Sequence, residues 1–447
     1  DVSGELFLAE THKAVLKVLS QADYLSPKYH VVVANPPYMG GKGMNGRLSK
    51  WAKDNYPASK SDLFAMFIER GFTLTPRLGY CAMVTMQSWM FISAYELFRK
   101  KISAQASIET MAHMANMVMG IAFGTSASVW KKGGSRGSKG AFCFVAYEDI
   151  GSDNRPIYFP PRNERNSLAE KYSDDSYFWI SAEDIDKVPG SPIAYWINRY
   201  ALRAIDEFPS LKELTISDGQ NITANNDKYL RYHWEVNSKD VGVDYKWVFY
   251  AKGGEFRKWW GNLDYIVDWS SEARDFYKKS GSARLIPEYL WFKPGVTWTL
   301  LSSSNTAFRK LPDNATFDKT GSSVFFKNND DLEISIALLN SVVGDYYLKV
   351  FSSTIAYQIN EVRSIPAGYG ELPGAILSNS KRLVELSKED WNSHEPSWGF
   401  SRSPLLQFGI RQSNLKAVYQ SLNTLSQRKL AEMQRLEEEN NRIFIGS

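Results

Sequence analysis

The residues best suited to chemistry lie near the front of the chain, where Asn35-Pro36-Pro37-Tyr38 follows the apolar run Val31–Ala34. The β-branched run predicts a buried strand of a parallel sheet, and the prolines end that strand because they cannot donate to its ladder. Asn35 is therefore expected at the carboxyl edge of the sheet, where open α/β sheets bind ligands. The amide oxygen of Asn35, the carbonyl of Pro36 and the ring of Tyr38 would place two hydrogen-bond acceptors beside a stacking surface, which suits an aromatic amine such as adenine.

The same four residues also fit a turn without any chemistry, because Asn-Pro initiates turns and Pro-Pro is common in loops. The elements that follow favour the functional interpretation. Asp62-Leu63-Phe64 opens an amphipathic segment, and Tyr80–Met86 predicts a second strand. A strand, a turn, a helix and a strand in this order indicate a doubly wound α/β fold.

These residues resemble the motifs of amino-group DNA methyltransferases. Asn35-Pro36-Pro37-Tyr38 matches their catalytic tetrapeptide, and Ala122-Phe123-Gly124 is similar to the motif whose aromatic residue covers the other face of the flipped base. Asn225–Tyr229 and Lys252–Trp259 resemble segments of target-recognition regions. Over almost the whole chain, the likeness is to the adenine-specific methyltransferases of the BREX phage-defence systems, the PglX family.

The resemblance implies an enzyme that transfers a methyl group from S-adenosylmethionine to the exocyclic amino group of an adenine flipped out of double-stranded DNA. It implies catalytic roles for Asn35, Pro36, Pro37 and Tyr38, and stacking of the flipped base on Tyr38 and Phe123. For Phe123 by itself, an ordinary core aromatic is the alternative. The implied partners are DNA, other BREX defence components and phage-encoded inhibitors, and the implied role is modification of host DNA.

The glycine-rich turn that normally holds this cofactor has no counterpart here, because no F-x-G-x-G occurs in the sequence. We therefore expect the chain to be the later part of a longer enzyme, with the main cofactor-binding motif upstream of Asp1. The expected fold begins with the second half of a Rossmann-like methyltransferase domain. No cofactor-binding residue is identified within the chain itself.

Composition limits the other classes of function. The 447 residues carry a net charge of +4, so DNA binding has to be argued from local patches. Cys81 and Cys143 stand in apolar surroundings, and with five scattered histidines they offer no zinc spacing, so no metal is expected. No signal peptide and no apolar run of membrane-spanning length is recognisable, which predicts a cytoplasmic protein without a membrane partner.

Local patches of basic and aromatic residues lie in the second half, as in Phe256–Trp260 and Trp291–Pro294. Such residues can stack on bases and neutralise phosphates. The alternative is a β-rich core with a solvated basic rim. The candidate DNA-binding residues are Lys252, Arg257, Lys258, Lys293 and Arg309.

The patterns divide the chain into four predicted parts. These are residues 1–150 as the later part of the catalytic domain, 151–210 as a linker or insertion, 211–366 as a β-rich α+β target-recognition domain and 367–447 as a helical region. Within this scheme, Leu332 to Tyr347 predicts one helix with an apolar face.

Two other functions fit the same residues. RNA methyltransferases and protein-glutamine methyltransferases can carry the same Asn-Pro-Pro-Tyr turn, but those enzymes are usually compact and lack a large basic-aromatic domain. A non-catalytic DNA-recognition subunit is the third interpretation, and a glycine-rich cofactor motif upstream of Asp1 would count against it.

Overall fold

A computed structural model describes residues 6–157, 159, 177–301, 306–352, 356–368, 373–409 and 414–446. The chain forms two compact units, Asp1–Leu202 and Arg203–Ser447. The predicted fold class is confirmed: an α/β part is followed by a β-rich α+β part and a helical C-terminal segment.

The first unit is built on one six-stranded sheet. Its strands are β1 (Val31–Ala34), β2 (Tyr80–Met86), β3 (Ala106–Met114), β4 (Thr125–Lys132), β5 (Lys139–Val145) and β6 (Phe178–Ser181). They lie in the order β1-β2-β4-β3-β5-β6. The expectation of a parallel sheet was wrong in part, because only β1 with β2 and β3 with β5 are parallel and the other neighbours are antiparallel.

Helices accompany this sheet. They are α1 (Leu6–Leu25), α2 (Gly46–Asn55), α3 (Leu63–Leu74), α4 (Ser88–Phe91), α5 (Glu96–Ser103), α6 (Ala182–Lys187) and α7 (Arg199–Glu207). The strand, turn, helix and strand predicted from the sequence correspond to β1, the turn Asn35–Tyr38, α3 and β2. We call Asn35–Tyr38 the catalytic turn, after its predicted role. Helix α3 packs on β2 and buries Phe64, Ile68 and Phe72.

The valine run is a strand, but the prediction that it is buried was wrong. Val31 is 59% exposed and Val33 is 73% exposed. The reason is topological: β1 is the end strand of the sheet, and among the described residues it pairs only with β2. A run of β-branched residues reports the preference for a strand, whereas burial depends on what covers that strand.

The second unit contains two four-stranded sheets, with the strand orders β13-β9-β10-β8 and β12-β11-β14-β7. Their strands are β7 (Thr215–Ile216), β8 (Leu230–Tyr232), β9 (Trp247–Ala251), β10 (Tyr265–Asp268), β11 (Gly295–Trp298), β12 (Phe308–Leu311), β13 (Ala315–Phe317) and β14 (Ser323–Phe326). One hydrophobic cluster draws on both sheets, because it contains Phe249 and Ile266 together with Leu311 and Phe325.

Helices surround these sheets and continue to the end of the chain. They are α8 (Leu211–Leu214), α9 (Asn226–Tyr229), α10 (Ser271–Lys279), α11 (Asn329–Leu339), α12 (Val342–Phe351), α13 (Ile359–Arg363), α14 (Pro373–Trp391), α15 (Pro404–Gly409) and α16 (Leu415–Gly446). None of the helices in the described part of the chain is by itself long and apolar enough to cross a membrane. The bent pair α11 and α12, taken together, has the length and composition to do so.

The single helix predicted from Leu332 to Tyr347 is in fact two helices, α11 and α12, bent by 77°. The break has two local causes. The hydroxyl of Ser341 caps α12 by accepting a hydrogen bond from the Gly344 N–H at 3.1 Å. The Asn340 amide accepts from the Phe308 N–H at 3.0 Å and donates to the Phe308 carbonyl at 2.9 Å, so it bonds to β12.

Candidate active site

The catalytic turn leaves the sheet at the carboxyl end of β1. Asn35 and Pro37 are exposed, Pro36 is buried and Tyr38 is half-buried. The Tyr38 hydroxyl donates to the Val84 carbonyl on β2 at 3.2 Å, while its contact with the Asn35 amide oxygen is long, at 3.5 Å. The Asn35 oxygen therefore stays available to accept a hydrogen bond from a ligand.

Asp62 fastens the turn to the start of α3. Its buried carboxylate accepts hydrogen bonds from the Met39 N–H at 2.9 Å and from the Phe64 N–H at 3.3 Å. A backbone bond of 3.2 Å from the Leu63 N–H to the Met39 carbonyl adds to this connection. The Asp62-Leu63-Phe64 motif thus has a physical role, because it caps α3 and also fixes the backbone of Met39, the residue after Tyr38.

Three aromatic rings meet beside the turn. The Tyr38 ring contacts Phe64 edge-on, with centroids 6.0 Å apart, and it contacts Phe123 at 5.6 Å with 65° between the ring planes. Phe123 is 37% exposed. The alternative of an ordinary core aromatic does not describe a ring this exposed. Desolvation raises the pKa of Tyr38, so its hydroxyl stays protonated and can donate at neutral pH.

A buried polar chain, which the sequence analysis missed, lies behind Phe123. The Gln87 amide oxygen lies 2.6 Å from His113 Nε2, and His113 Nδ1 lies 2.9 Å from the Tyr195 hydroxyl. Burial lowers the pKa of His113 to about 4, so the ring is neutral at neutral pH. These partners favour the tautomer that carries its proton on Nε2.

Gln87 also touches the loop that carries Phe123. Its backbone N–H donates to the Gly124 carbonyl at 3.0 Å. A Cβ added at Gly124 would lie 2.3 Å from the Gln87 side chain, so only glycine fits there without displacing it. The available signal was the position of Gln87 directly after β2, but its partners come from distant segments and leave no local pattern.

Three of the five candidate DNA-binding residues are tied to carboxylates within the second unit. Lys252 pairs with Asp318 at 2.9 Å. Arg257 pairs with Asp390 at 2.6 Å, and Lys258 pairs with Glu437 at 3.0 Å. Lys293 is exposed.

Arg309 is placed differently from the prediction, because its side chain is only 2% exposed. Residues around Trp259 pair with the edge of β12: the Trp259 N–H donates to the Phe308 carbonyl at 2.8 Å, and the Lys310 N–H donates to the Trp259 carbonyl at 2.9 Å. This segment buries Arg309. A phosphate cannot reach a buried guanidinium, so Arg309 does not fit the predicted role in DNA binding.

No group of three or more His, Cys, Asp or Glu residues that could hold a metal ion occurs in the parts of the chain covered by the structure. Cys81 and Cys143 are buried and free, and burial raises their pKa values to about 12 and about 11, so both remain thiols.

The catalytic turn and the Phe123 loop lie within or next to a recognised family segment. Residues 7–118 match the family model of the Eco57I restriction-modification methylase. The match includes β1, the catalytic turn and α3, and its end falls just before Phe123.

Over almost its full length, the chain is similar to two curated adenine-specific methyltransferases. It is 32% identical over 459 aligned residues to BrxX of Escherichia coli O9:H4 (strain HS), and the alignment covers 99% of this chain. It is 31% identical to PglX of Lacticaseibacillus casei (strain Zhang), over 94% of this chain. The chain spans 36% of the length of each relative. The resemblance inferred from the motifs is confirmed.

Two solved structures also align with most of this chain. The type IIL restriction-modification enzyme MmeI in complex with DNA covers 93% of this chain and 57% of its own, with a TM-score of 0.48 and 12% identity. A nuclease-deletion mutant of the type ISP enzyme LlaGI covers 82% of this chain and 36% of its own, with a TM-score of 0.45 and 10% identity.

Proposed function

We propose that this chain carries the catalytic turn and the target-recognition part of a site-specific DNA adenine methyltransferase of BREX phage defence. The turn itself supports this most strongly, because Asn35 stands exposed at the end of β1 beside the rings of Tyr38 and Phe123. The names of the relatives BrxX and PglX support adenine as the target base. The enzyme would act in the cytoplasm, where host DNA lies.

In the proposed reaction, the Asn35 amide oxygen and the Pro36 carbonyl accept hydrogen bonds from the amino group of the target adenine. That nitrogen is a weak nucleophile because its lone pair is delocalised into the purine ring. Two acceptors draw it towards a tetrahedral geometry and free the lone pair to form a bond to the methyl carbon. The bond from that carbon to the donor sulfur would break in the same step, and the nitrogen would then release one proton to solvent. The protein therefore contributes positioning and preorganised electrostatics, with Pro37 holding the shape of the turn.

The adenine has to leave the duplex to reach Asn35, which costs a few kcal/mol. Stacking on Tyr38 and Phe123 offsets much of this, at about 1–3 kcal/mol per base. A base between two rings needs them about 7 Å apart, which is two contact distances of roughly 3.5 Å. Because the two centroids are now 5.6 Å apart, base binding requires Phe123 to swing away from Tyr38.

S-adenosylmethionine is the proposed cofactor, and it would supply the activated methyl group. Asn35, exposed at the carboxyl end of β1, would hold the amino group on the adenine side of the cofactor site. The sequence holds no F-x-G-x-G. No contact with the rest of the cofactor is therefore assigned to this chain.

We assign the choice of target sequence to residues 211–366, with residues 1–150 and 367–447 keeping their predicted roles. Within the predicted linker 151–210, Phe178–Ser181 is β6 of the first unit's sheet, so this part goes with the catalytic domain. Exposed Lys293 is a direct candidate for DNA contact. Lys252, Arg257 and Lys258 would first have to exchange a carboxylate for a phosphate. Other BREX components and phage-encoded inhibitors are the proposed protein partners.

Methyl transfer by the complete protein tests the proposal. The protein is incubated with labelled S-adenosylmethionine and, separately, with duplex DNA, RNA and bulk cell protein, and the labelled nucleosides are identified by mass spectrometry. We expect N6-methyladenine in the DNA alone. DNA from a host that carries the gene is already modified and should take up no label. Labelled RNA, labelled glutamine or no label at all would contradict the proposal.

A further inference from the structure

A strongly basic surface lies immediately after the catalytic turn. Residues 42–60 contain five basic side chains and one acidic one, Asp54. Arg47, Lys50 and Lys53 lie on α2, Lys42 precedes the helix and Lys60 follows it. All five are exposed. We refer to these five residues as the α2 basic surface.

These charges differ in one respect from three candidate DNA-binding residues of the second unit. Lys252, Arg257 and Lys258 each pair with a carboxylate. Within the described ranges, no residue of the α2 basic surface makes an ion pair. Unpaired cations that are close together repel one another, so this arrangement has a cost that an anionic ligand would remove.

Helix α2 is held in a defined orientation. Its first turn is capped by Asn45, whose side-chain oxygen accepts a hydrogen bond from the Leu48 N–H at 2.9 Å. Ala52 is buried, so one side of the helix faces the protein and the other carries the charges. Trp51 adjoins Lys50 in the chain, is 48% exposed and contacts the Tyr56 ring at 5.3 Å between centroids. Exposed aromatic residues next to basic residues in the chain are typical of nucleic-acid contact surfaces.

The α2 basic surface is also fixed relative to the catalytic turn. The connecting loop is tied down, because the Gly41 N–H donates to the Ser61 carbonyl at 3.1 Å and the Gly43 N–H donates to the Gly40 carbonyl at 2.8 Å. Lys42 follows Tyr38 by four residues, so their Cα atoms are at most about 14 Å apart. That distance is comparable to a few phosphate spacings along a DNA strand.

We propose that the α2 basic surface binds the DNA backbone beside the flipped adenine, and this inference rests on the proposed function. The cations hold the phosphates next to the target nucleotide, while the catalytic turn receives the base. The surface carries no sequence information, so it raises affinity for any duplex and leaves the choice of target to other residues.

The test replaces three charges at once, as Arg47→Gln, Lys50→Gln and Lys53→Gln in the complete protein. The slope of log affinity against log salt concentration should fall by about 2 to 3, because each lost phosphate contact removes roughly 0.9. The KM for DNA at about 0.15 M salt should rise at least about 10-fold, with a much smaller change in kcat.

Two control variants test whether the change in salt slope depends on where the charge is removed and whether it comes from misfolding. Lys13→Gln, Lys17→Gln and Lys28→Gln remove the same charge at exposed positions outside the surface and should leave the salt slope unchanged. Arg47→Lys, Lys50→Arg and Lys53→Arg keep the charges and should restore tight binding if the glutamine variant fails for electrostatic reasons.

The outcomes distinguish this inference from the proposed function. If the wild-type protein methylates DNA and the glutamine variant has the same salt slope as the control, the surface has been assigned wrongly and the function stands. If the wild-type protein does not methylate DNA, both proposals fall.

Discussion

Tyr38 is positioned by two different kinds of interaction. Its hydroxyl is bound to the Val84 carbonyl, and its ring lies against Phe64 and Phe123. The hydrogen bond fixes the tip of the side chain, and the aromatic contacts fix the plane of the ring. The bond to Val84 and the edge-on contact with Phe64 remain when Phe123 moves aside, so the Tyr38 ring is preorganised to stack on a base and less entropy is lost when the base arrives.

The glycine next to Phe123 gives the first prediction. In Gly124→Ala, the new Cβ would displace the Gln87 amide and break its 2.6 Å contact with His113. A buried imidazole N–H would lose its partner, at a cost of about 1–3 kcal/mol. We expect a lower melting temperature and at least about a tenfold slower methylation, measured in single-turnover assays.

Gly41→Ala is the matched control for this variant, because its added Cβ meets no atom within 4 Å. The role assigned to Gly124 is refuted if the two alanine variants melt and react alike.

His113 gives a prediction about pH. Burial lowers its folded-state pKa from 6.5 to about 4, so between these values the unfolded chain binds more protons than the folded one. The contribution of neutral His113 to the free energy of unfolding is complete above pH 6.5 and is lost as the pH falls towards 4. The loss amounts to about 3 kcal/mol. Urea unfolding at several pH values, compared with His113→Gln, isolates this contribution because glutamine does not titrate. Equal pH dependence in both proteins would contradict it.

Among the helices and strands, some features follow from residues nearby in the chain and others from tertiary contacts. The strands β1 and β2, the turn between β1 and α2, and the start of α3 at Asp62 were predictable, because strand propensity, prolines and an acidic N-cap act within a few residues. The exposure of Val33 was not predictable, because it depends on the position of β1 at the end of the sheet.

The second unit gives two further examples of long-range effects. Arg309 is buried because the segment around Trp259 pairs along the edge of β12, about fifty residues away in the chain. The break between α11 and α12 depends on the bond from Asn340 to Phe308. Neither effect leaves a periodic signal in the sequence.

The Asn340 bond predicts a large stability effect. In Asn340→Ala, the buried Phe308 N–H would lose its partner, whereas the Phe308 carbonyl keeps the bond from the Trp259 N–H, so the free energy of unfolding should fall by about 1–3 kcal/mol. Denaturant titration measures this directly. Asn329→Ala, at the exposed start of α11, should change it by less than about 0.5 kcal/mol. If Asn340→Ala lowers the free energy of unfolding by no more than Asn329→Ala does, the Asn340 amide does not stabilise the bend between α11 and α12.

At the scale of the whole molecule, the predicted recognition and C-terminal parts share contacts. Arg257 pairs with Asp390 and stacks on Trp391, and Lys258 pairs with Glu437 on α16. Residues 211–366 and 367–447 therefore fold against one another within the second unit. A domain exchange should therefore transfer the whole second unit, Arg203–Ser447.

Replacing residues 203–447 with the equivalent segment of a relative should keep the protein folded and change the methylated sequence. Exchanging only 211–366 should destabilise it, because the ion pairs to Asp390 and Glu437 would lose one partner. Thermal melting and modification-sensitive sequencing measure the two effects. An unchanged target motif after the larger exchange would place recognition outside the second unit.

Modification-sensitive sequencing of DNA from cells that express the complete protein shows whether the turn at Asn35 is responsible for adenine methylation in DNA. With the wild-type protein, we expect N6-methyladenine at one position of one short motif. With Asn35→Ala, the methylation rate should fall at least about 100-fold, while duplex binding changes by no more than a few-fold. Wild-type modification levels in cells with Asn35→Ala, or modification of a base other than adenine, would contradict the account.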